Sequence, residues 1–65
     1  MNEDIIKGRW KQIKGHVKRQ WGKLTDDDLD VAEGNRDYLI GKIQERTGRA
    51  RDQIEKEVQD FERHL

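Results

Sequence analysis

Apolar residues recur along most of this chain with the period of a helix. Ile6, Trp10, Ile13, Val17, Trp21 and Leu24 follow one another at steps of 4, 3, 4, 4 and 3. At about 100° per residue they fall within one stripe roughly 80° wide, the pattern of a helix that buries one face. The same spacing returns in Leu29 and Ala32, in Leu39, Ile40 and Ile43, and in Ile54, Val58, Phe61 and Leu65. No segment shows the strict alternation of a half-buried strand, and the chain has no proline. The pattern predicts an all-α fold, a compact single-domain bundle of four short helices at about 3–22, 26–33, 36–47 and 50–64. Its expected centre is Trp10, Ile13, Val17, Trp21, Leu24, Leu29, Leu39, Ile43, Ile54, Val58 and Phe61, with Leu65 at the margin.

Local signals set the boundaries. Asn2 is the expected first cap, with Glu3 and Asp4 in the opening turn, where the helix dipole favours negative charge. Leu24-Thr25-Asp26-Asp27-Asp28-Leu29 reads as a capping box with a hydrophobic staple: Thr25 caps, Asp28 reaches back to the Thr25 amide, and Leu24 meets Leu29. Gly34 is expected to end the second helix in a left-handed conformation and Gly48 the third, with Asn35 capping the third at its start. Glu45 with Arg49 and Asp52 with Lys56 are spaced as i,i+4 pairs. Gly8, Gly15 and Gly22 lie seven apart, as do Gly34, Gly41 and Gly48. A shift of 26 residues overlays the two sets and matches Ile13 with Leu39 and Val17 with Ile43, a faint internal repeat. Within a helix, Gly8, Gly15 and Gly41 each cost about 1 kcal/mol relative to alanine.

Charge changes the picture more than length does. Charged residues make up 43% of the chain and apolar ones only 31%, so the core is thin and modest stability is expected. The net charge is zero, yet residues 1–24 carry seven Lys/Arg and two acids, and residues 25–65 carry seven Lys/Arg and twelve acids. The simplest reading of this asymmetry is that the two halves attract each other within the fold. The sharper one is a basic surface formed by Lys7, Lys11, Lys14 and Lys18, which run along one flank of the first helix and point to an anionic partner. Against nucleic acid as that partner, both tryptophans lie on the core stripe and the isoelectric point is near 6.7.

Catalytic arrangements find little support. Without cysteine there is no disulfide or thiolate metal site, and without serine no Ser-His-Asp arrangement. His16 and His64 are 48 residues apart and read as exposed helix positions. Asp26, Asp28 and Asp30 alternate like half of an EF-hand loop, but Val31 stands at the position that needs glycine, and a helix-start acid cluster is the better reading. No phosphate-cradling glycine loop occurs. No catalytic, cofactor-binding or metal residue is assigned, and no cofactor or small-molecule substrate is implied. The acidic start and the short apolar runs speak against a secretion signal or a membrane span, which makes the cytoplasm the expected location.

Lys7-Gly8, Trp10-Lys11-Gln12, Lys14-Gly15, the stretch Gln20-Trp21-Gly22-Lys23-Leu24-Thr25-Asp26-Asp27-Asp28 and Glu33-Gly34 closely resemble the CsbD-like family of small bacterial proteins. The likeness continues through Leu39-Ile40-Gly41-Lys42-Ile43-Gln44-Glu45-Arg46, Gly48 and Glu55-Lys56-Glu57-Val58. It departs at Thr47, where an aromatic residue is common, at Phe61, where tryptophan is common, and at Ala50, where serine often caps the last helix. Ala50 therefore predicts a weak start to that helix, at a cost of about 1 kcal/mol. The resemblance implies one helical domain over residues 1–65, associated with general and osmotic stress in bacteria and with no established molecular activity, while the residues themselves speak against an enzyme. It carries over no catalytic residue. The expected mode of action is interaction or bulk protection, with a nucleic-acid or anionic-surface binding module as the alternative.

Overall fold

The structure, a computed structural model, describes residues 7–65. Four helices follow in order: α1 (Trp10–Gln20), α2 (Asp26–Ala32), α3 (Arg36–Thr47) and α4 (Arg51–Arg63). The described residues contain no strand. The fold is the all-α bundle that the apolar spacing predicts. The expected cap at Asn2, the acids Glu3 and Asp4, and Ile6 lie outside the described residues.

Most boundaries sit where local chemistry puts them. Thr25 Oγ1 accepts from the Asp28 N–H at 3.0 Å, and Asp28 Oδ2 accepts from the Thr25 N–H at 3.1 Å, so both halves of the capping box are made. Asn35 Oδ1 accepts from the Tyr38 N–H at 2.9 Å, and Gly48, at φ 75°, ends α3 in the left-handed region. Ala50 stands at the start of α4 with no side-chain cap, as its lack of a hydroxyl requires.

Other boundaries differ from the spacing-based ones. The first helix is not continuous from residue 3 to 22. Arg9, at φ −115° and ψ 16°, separates α1 from the helical Lys7 and Gly8, and the break falls beside a glycine that does little to hold a helix in line. At its other end α1 stops at Gln20, because Trp21 leaves the helical region to bury its indole. That indole donates to Glu57 Oε1 at 2.9 Å and packs on Phe61, the ring centroids 5.4 Å apart. The second helix closes one residue early. Glu33 (φ 49°) and Gly34 (φ 84°) are both left-handed, and the Asn35 N–H turns back to the Ala32 carbonyl at 2.8 Å. The fourth runs from 51 to 63 rather than 50 to 64, and Leu65 is 38% exposed instead of joining the core.

Twelve apolar residues form the core, from Trp10 through Val58, including Ala32 and Ile40. Phe61 is half-buried at its edge, a correction to its expected central place. The Glu45–Arg49 pair is replaced: Gly48 turns Arg49 off the helix, so Glu45 meets Lys42 at 3.1 Å and Arg49 meets Glu57 at 2.9 Å. Asp52 and Lys56 form no ion pair among the described residues, and the exposed i,i+4 bridge of α4 is Arg51–Glu55, at 3.1 Å.

α3 holds its two neighbours at opposite ends. Arg46, in its last turn, grips Asp28 of α2, and Arg36, its first residue, meets Glu62 in the last turn of α4 at 3.2 Å. Successive helices therefore run antiparallel. α3 packs extensively on α2 and α4, and α1 rests on α2. α1 packs less closely on α4, and Trp21, just past the end of α1, stacks on Phe61 of α4 below a groove between the two.

Candidate functional site

α1 shows three lengthwise faces. Trp10, Ile13 and Val17 form the buried one, and the Trp10 indole donates to the Leu29 carbonyl at 3.2 Å. On one side of that stripe runs the lysine flank. Lys14 Nζ lies 2.7 Å from Asp30 and Lys18 Nζ 2.8 Å from Asp26, both across to α2. These pairs hold Lys14 above the usual lysine range and Asp26 below the usual carboxylate range, through hydrogen bond and charge alike. Two of the four lysines expected to face a partner are thus engaged within the chain, while Lys7 and Lys11 are exposed and pair with no acid among the described residues.

The alternating aspartates are accounted for on the same helix. Asp26 and Asp30 point to lysines of α1, and Asp28 turns to Arg46, whose Nε and Nη2 donate to its two carboxylate oxygens at 2.9 and 3.0 Å. The Arg46 guanidinium, with the Thr25 amide second, holds the Asp28 carboxyl well below the usual carboxylate range. Asp28 is only 5% exposed. A carboxylate so far inside a small fold is tolerated because charge-assisted bonds satisfy both oxygens. Glu62 is equally buried, but Oε1 has no partner among the described residues and only Oε2 meets Arg36. No three His, Cys, Asp or Glu side chains among the described residues are grouped as a metal site would need.

The third face of α1 was not singled out by the sequence. Arg9, His16 and Arg19, with His64 after α4, form the walls of the groove between α1 and α4, about 560 Å³ in volume. Ile13, Phe61 and Leu65 contribute its apolar lining, and none of its lining residues is acidic. The Arg19 guanidinium donates to His16 Nδ1, which leaves the other ring nitrogen of His16 as a donor. The Asp60 carbonyl accepts from His64 Nδ1 at 2.7 Å. Arg9 and Arg19 meet no acid among the described residues, and on α4 Glu57 pairs with Arg49 and Asp60 with Arg63. One signal for this face was present: Arg9, at the cap of α1, and His16 and Arg19 within it are spaced at i, i+7 and i+10. His64 joins them only through the packing of the whole bundle.

The CsbD-like family model matches residues 4–56. This chain belongs to the CsbD-like family. It is 64% identical over 62 residues to the UPF0337 protein YjbJ of Escherichia coli K12, an alignment covering 95% of this chain and 90% of that one. It is 54% identical over 65 residues to the UPF0337 protein PA4738 of Pseudomonas aeruginosa, with both chains fully covered. With the UPF0337 protein ECA0631 of Pectobacterium atrosepticum the identity is 59% over 64 residues, covering 98% and 93% of the two chains. No solved structure matches. No helix among the described residues is long and apolar enough to cross a membrane.

Proposed function

We propose that this CsbD-like chain is a non-enzymatic stress-response protein of the bacterial cytoplasm, one domain over residues 1–65, that acts by interaction or by protecting other macromolecules. Stress response is the general association of its family. The observation that carries the reading is how the side chains capable of chemistry are used. Asp26, Asp28, Asp30, Glu57 and Glu62 are each held by a cation of another segment, so these five acids serve the packing of the chain. Around a twelve-residue core this leaves a densely charged, strongly hydrated shell. The test is to heat or dry a labile enzyme with this chain and with an equal mass of an unrelated folded protein. Greater recovery of enzyme activity with this chain, and full return of its own helical circular dichroism on cooling, are expected. Protection no better than that of the unrelated protein would overturn the protective reading.

A second reading, binding to anionic surfaces, is favoured by a separate observation. Residues 7–24 contain seven Lys/Arg and no acid, and Lys7, Arg9, Lys11, Arg19 and Lys23 pair with no acid among the described residues. Lys7, Lys11, Lys14 and Lys18 remain its proposed contacts, with Lys14 and Lys18 giving up Asp30 and Asp26 on binding. Glutamine at all four positions should then abolish polyanion binding, and an unchanged affinity would remove the lysine flank from consideration.

A further inference from the structure

We infer that the groove between α1 and the end of α4 binds single-stranded nucleic acid. The inference rests on the anion-binding reading but places the contact on the arginine–histidine face, continued by Lys7 and Lys11, instead of on Lys14 and Lys18.

Charge supplies the first argument. Arg9 and Arg19 supply the charge of the groove and none of its lining residues is acidic, in a chain with fourteen acids, whereas beyond Phe61 and His64 the neighbouring groove carries Glu57 and Asp60. The arginine wall is complementary to an anion, and Arg9 and Arg19 can turn to it without breaking an ion pair among the described residues. Continuity supplies the second. A smaller groove shares Arg9 and Gln12 with the first and extends to Lys7 and Lys11, with Glu33 as its one acidic lining residue. The cationic track thus outruns a single small anion and suits a chain of phosphates. The third argument is the apolar lining. Half-buried Phe61, packed on Trp21, and the partly exposed Leu65 line the same groove as the arginines and offer apolar surface on which unpaired bases stack or settle. A duplex keeps its bases stacked inside and would leave that lining uncovered. A membrane surface calls for a protruding apolar face, whereas Val31, the other large exposed apolar residue described, is on α2.

The experiment is fluorescence anisotropy with labelled single-stranded RNA and DNA of about ten nucleotides, a few times the span of the track. Duplex of the same sequence and vesicles of phosphatidylglycerol with phosphatidylcholine are run beside them. With about three phosphates contacted, single-strand affinity should fall roughly 20-fold between about 50 and 200 mM salt. R9Q/R19Q should weaken binding about tenfold or more at low salt and flatten the salt dependence, since two phosphate contacts are removed. K14Q/K18Q should change affinity less than about threefold, because those lysines serve α2. Neither double variant touches the core, and circular-dichroism melts within a few degrees of wild type verify their fold. Wild-type affinity in R9Q/R19Q, with loss in the four-lysine glutamine variant, would overturn the groove and leave the anion-binding reading standing. Tighter binding to duplex or to vesicles than to single strands would overturn the choice of ligand. Binding to no polyanion would end both readings.

Discussion

Asp28 shows how one side chain can serve two structural levels. Its carboxylate closes the capping box of α2 and holds Arg46 of α3 through two bonds. The first role was legible in the sequence because it lies within four residues. The second was not, because Arg46 is eighteen residues away and nothing local selects it over Lys42 or Arg49. The pH consequence follows from the lowered pKa of the folded state. Unfolded, the group titrates near the ordinary aspartate value of about 3.9. A carboxyl whose pKa is depressed on folding contributes stability above that value and loses it as the pH falls through the folded one. The stability difference between wild type and Asp28→Asn should therefore be constant from about pH 7 to 5 and shrink steadily below about pH 4, as read by urea titrations across that range. A difference that persists unchanged into acid would show that the charge of Asp28 is not what the fold uses. The uncapped start of α4 is a simpler case. Ala50 has the extended backbone of a cap, φ −68° and ψ 145°, but no acceptor. Ala50→Ser supplies one and should add about 0.5–1 kcal/mol, visible as a raised midpoint in thermal unfolding.

Among the helices, legibility followed the source of each boundary. Capping chemistry at Thr25, Asn35 and Gly48 is written locally and the helices obey it. The early end of α1 at Gln20 depends on where Trp21 finds Glu57 and Phe61, both on α4, so helix period alone carried the helix too far. For the same reason periodicity placed the cations of α1 correctly on flanks but could not tell which flank α2 would neutralise. The heptad-spaced glycines divide into two kinds. Gly48 at φ 75° needs its left-handed conformation, whereas a Cβ at Gly15 or Gly41 would meet nothing within 4 Å. Gly15→Ala and Gly41→Ala should each stabilise the fold by about 1 kcal/mol through helix propensity alone. Gly48→Ala should destabilise it by roughly 1–2 kcal/mol, because a side chain is forced into the left-handed region. Denaturant midpoints of the three variants measure this directly, and destabilisation by Gly15→Ala would reveal a contact that the open space does not suggest.

For the molecule as a whole, the question is whether the core or the opposed charges of its two halves hold it together. The +5 and −5 halves do attract, through Lys14–Asp30 and Lys18–Asp26, but those side chains are 40–77% exposed. Water and salt screen such pairs, and each is worth at most about 1 kcal/mol. Ile43, by contrast, is fully buried at the centre of α3, and truncation to alanine should cost about 2–5 kcal/mol. A domain of 65 residues holds roughly 3–10 kcal/mol in total, so that single cavity removes a large share of it. Lys14→Gln/Lys18→Gln should accordingly melt within a few degrees of wild type, while the Ile43→Ala midpoint should fall by about 10 °C or more, at about 4–8 °C per kcal/mol. Adding Gly15→Ala to Ile43→Ala should return about 1 kcal/mol and raise that midpoint again, because Gly15 is on another helix and a Cβ there would meet nothing within 4 Å. If the lysine pair proved costlier than the isoleucine, the charge split would be the main bond between the halves. The groove face could then no longer be treated as independent of the lysine flank.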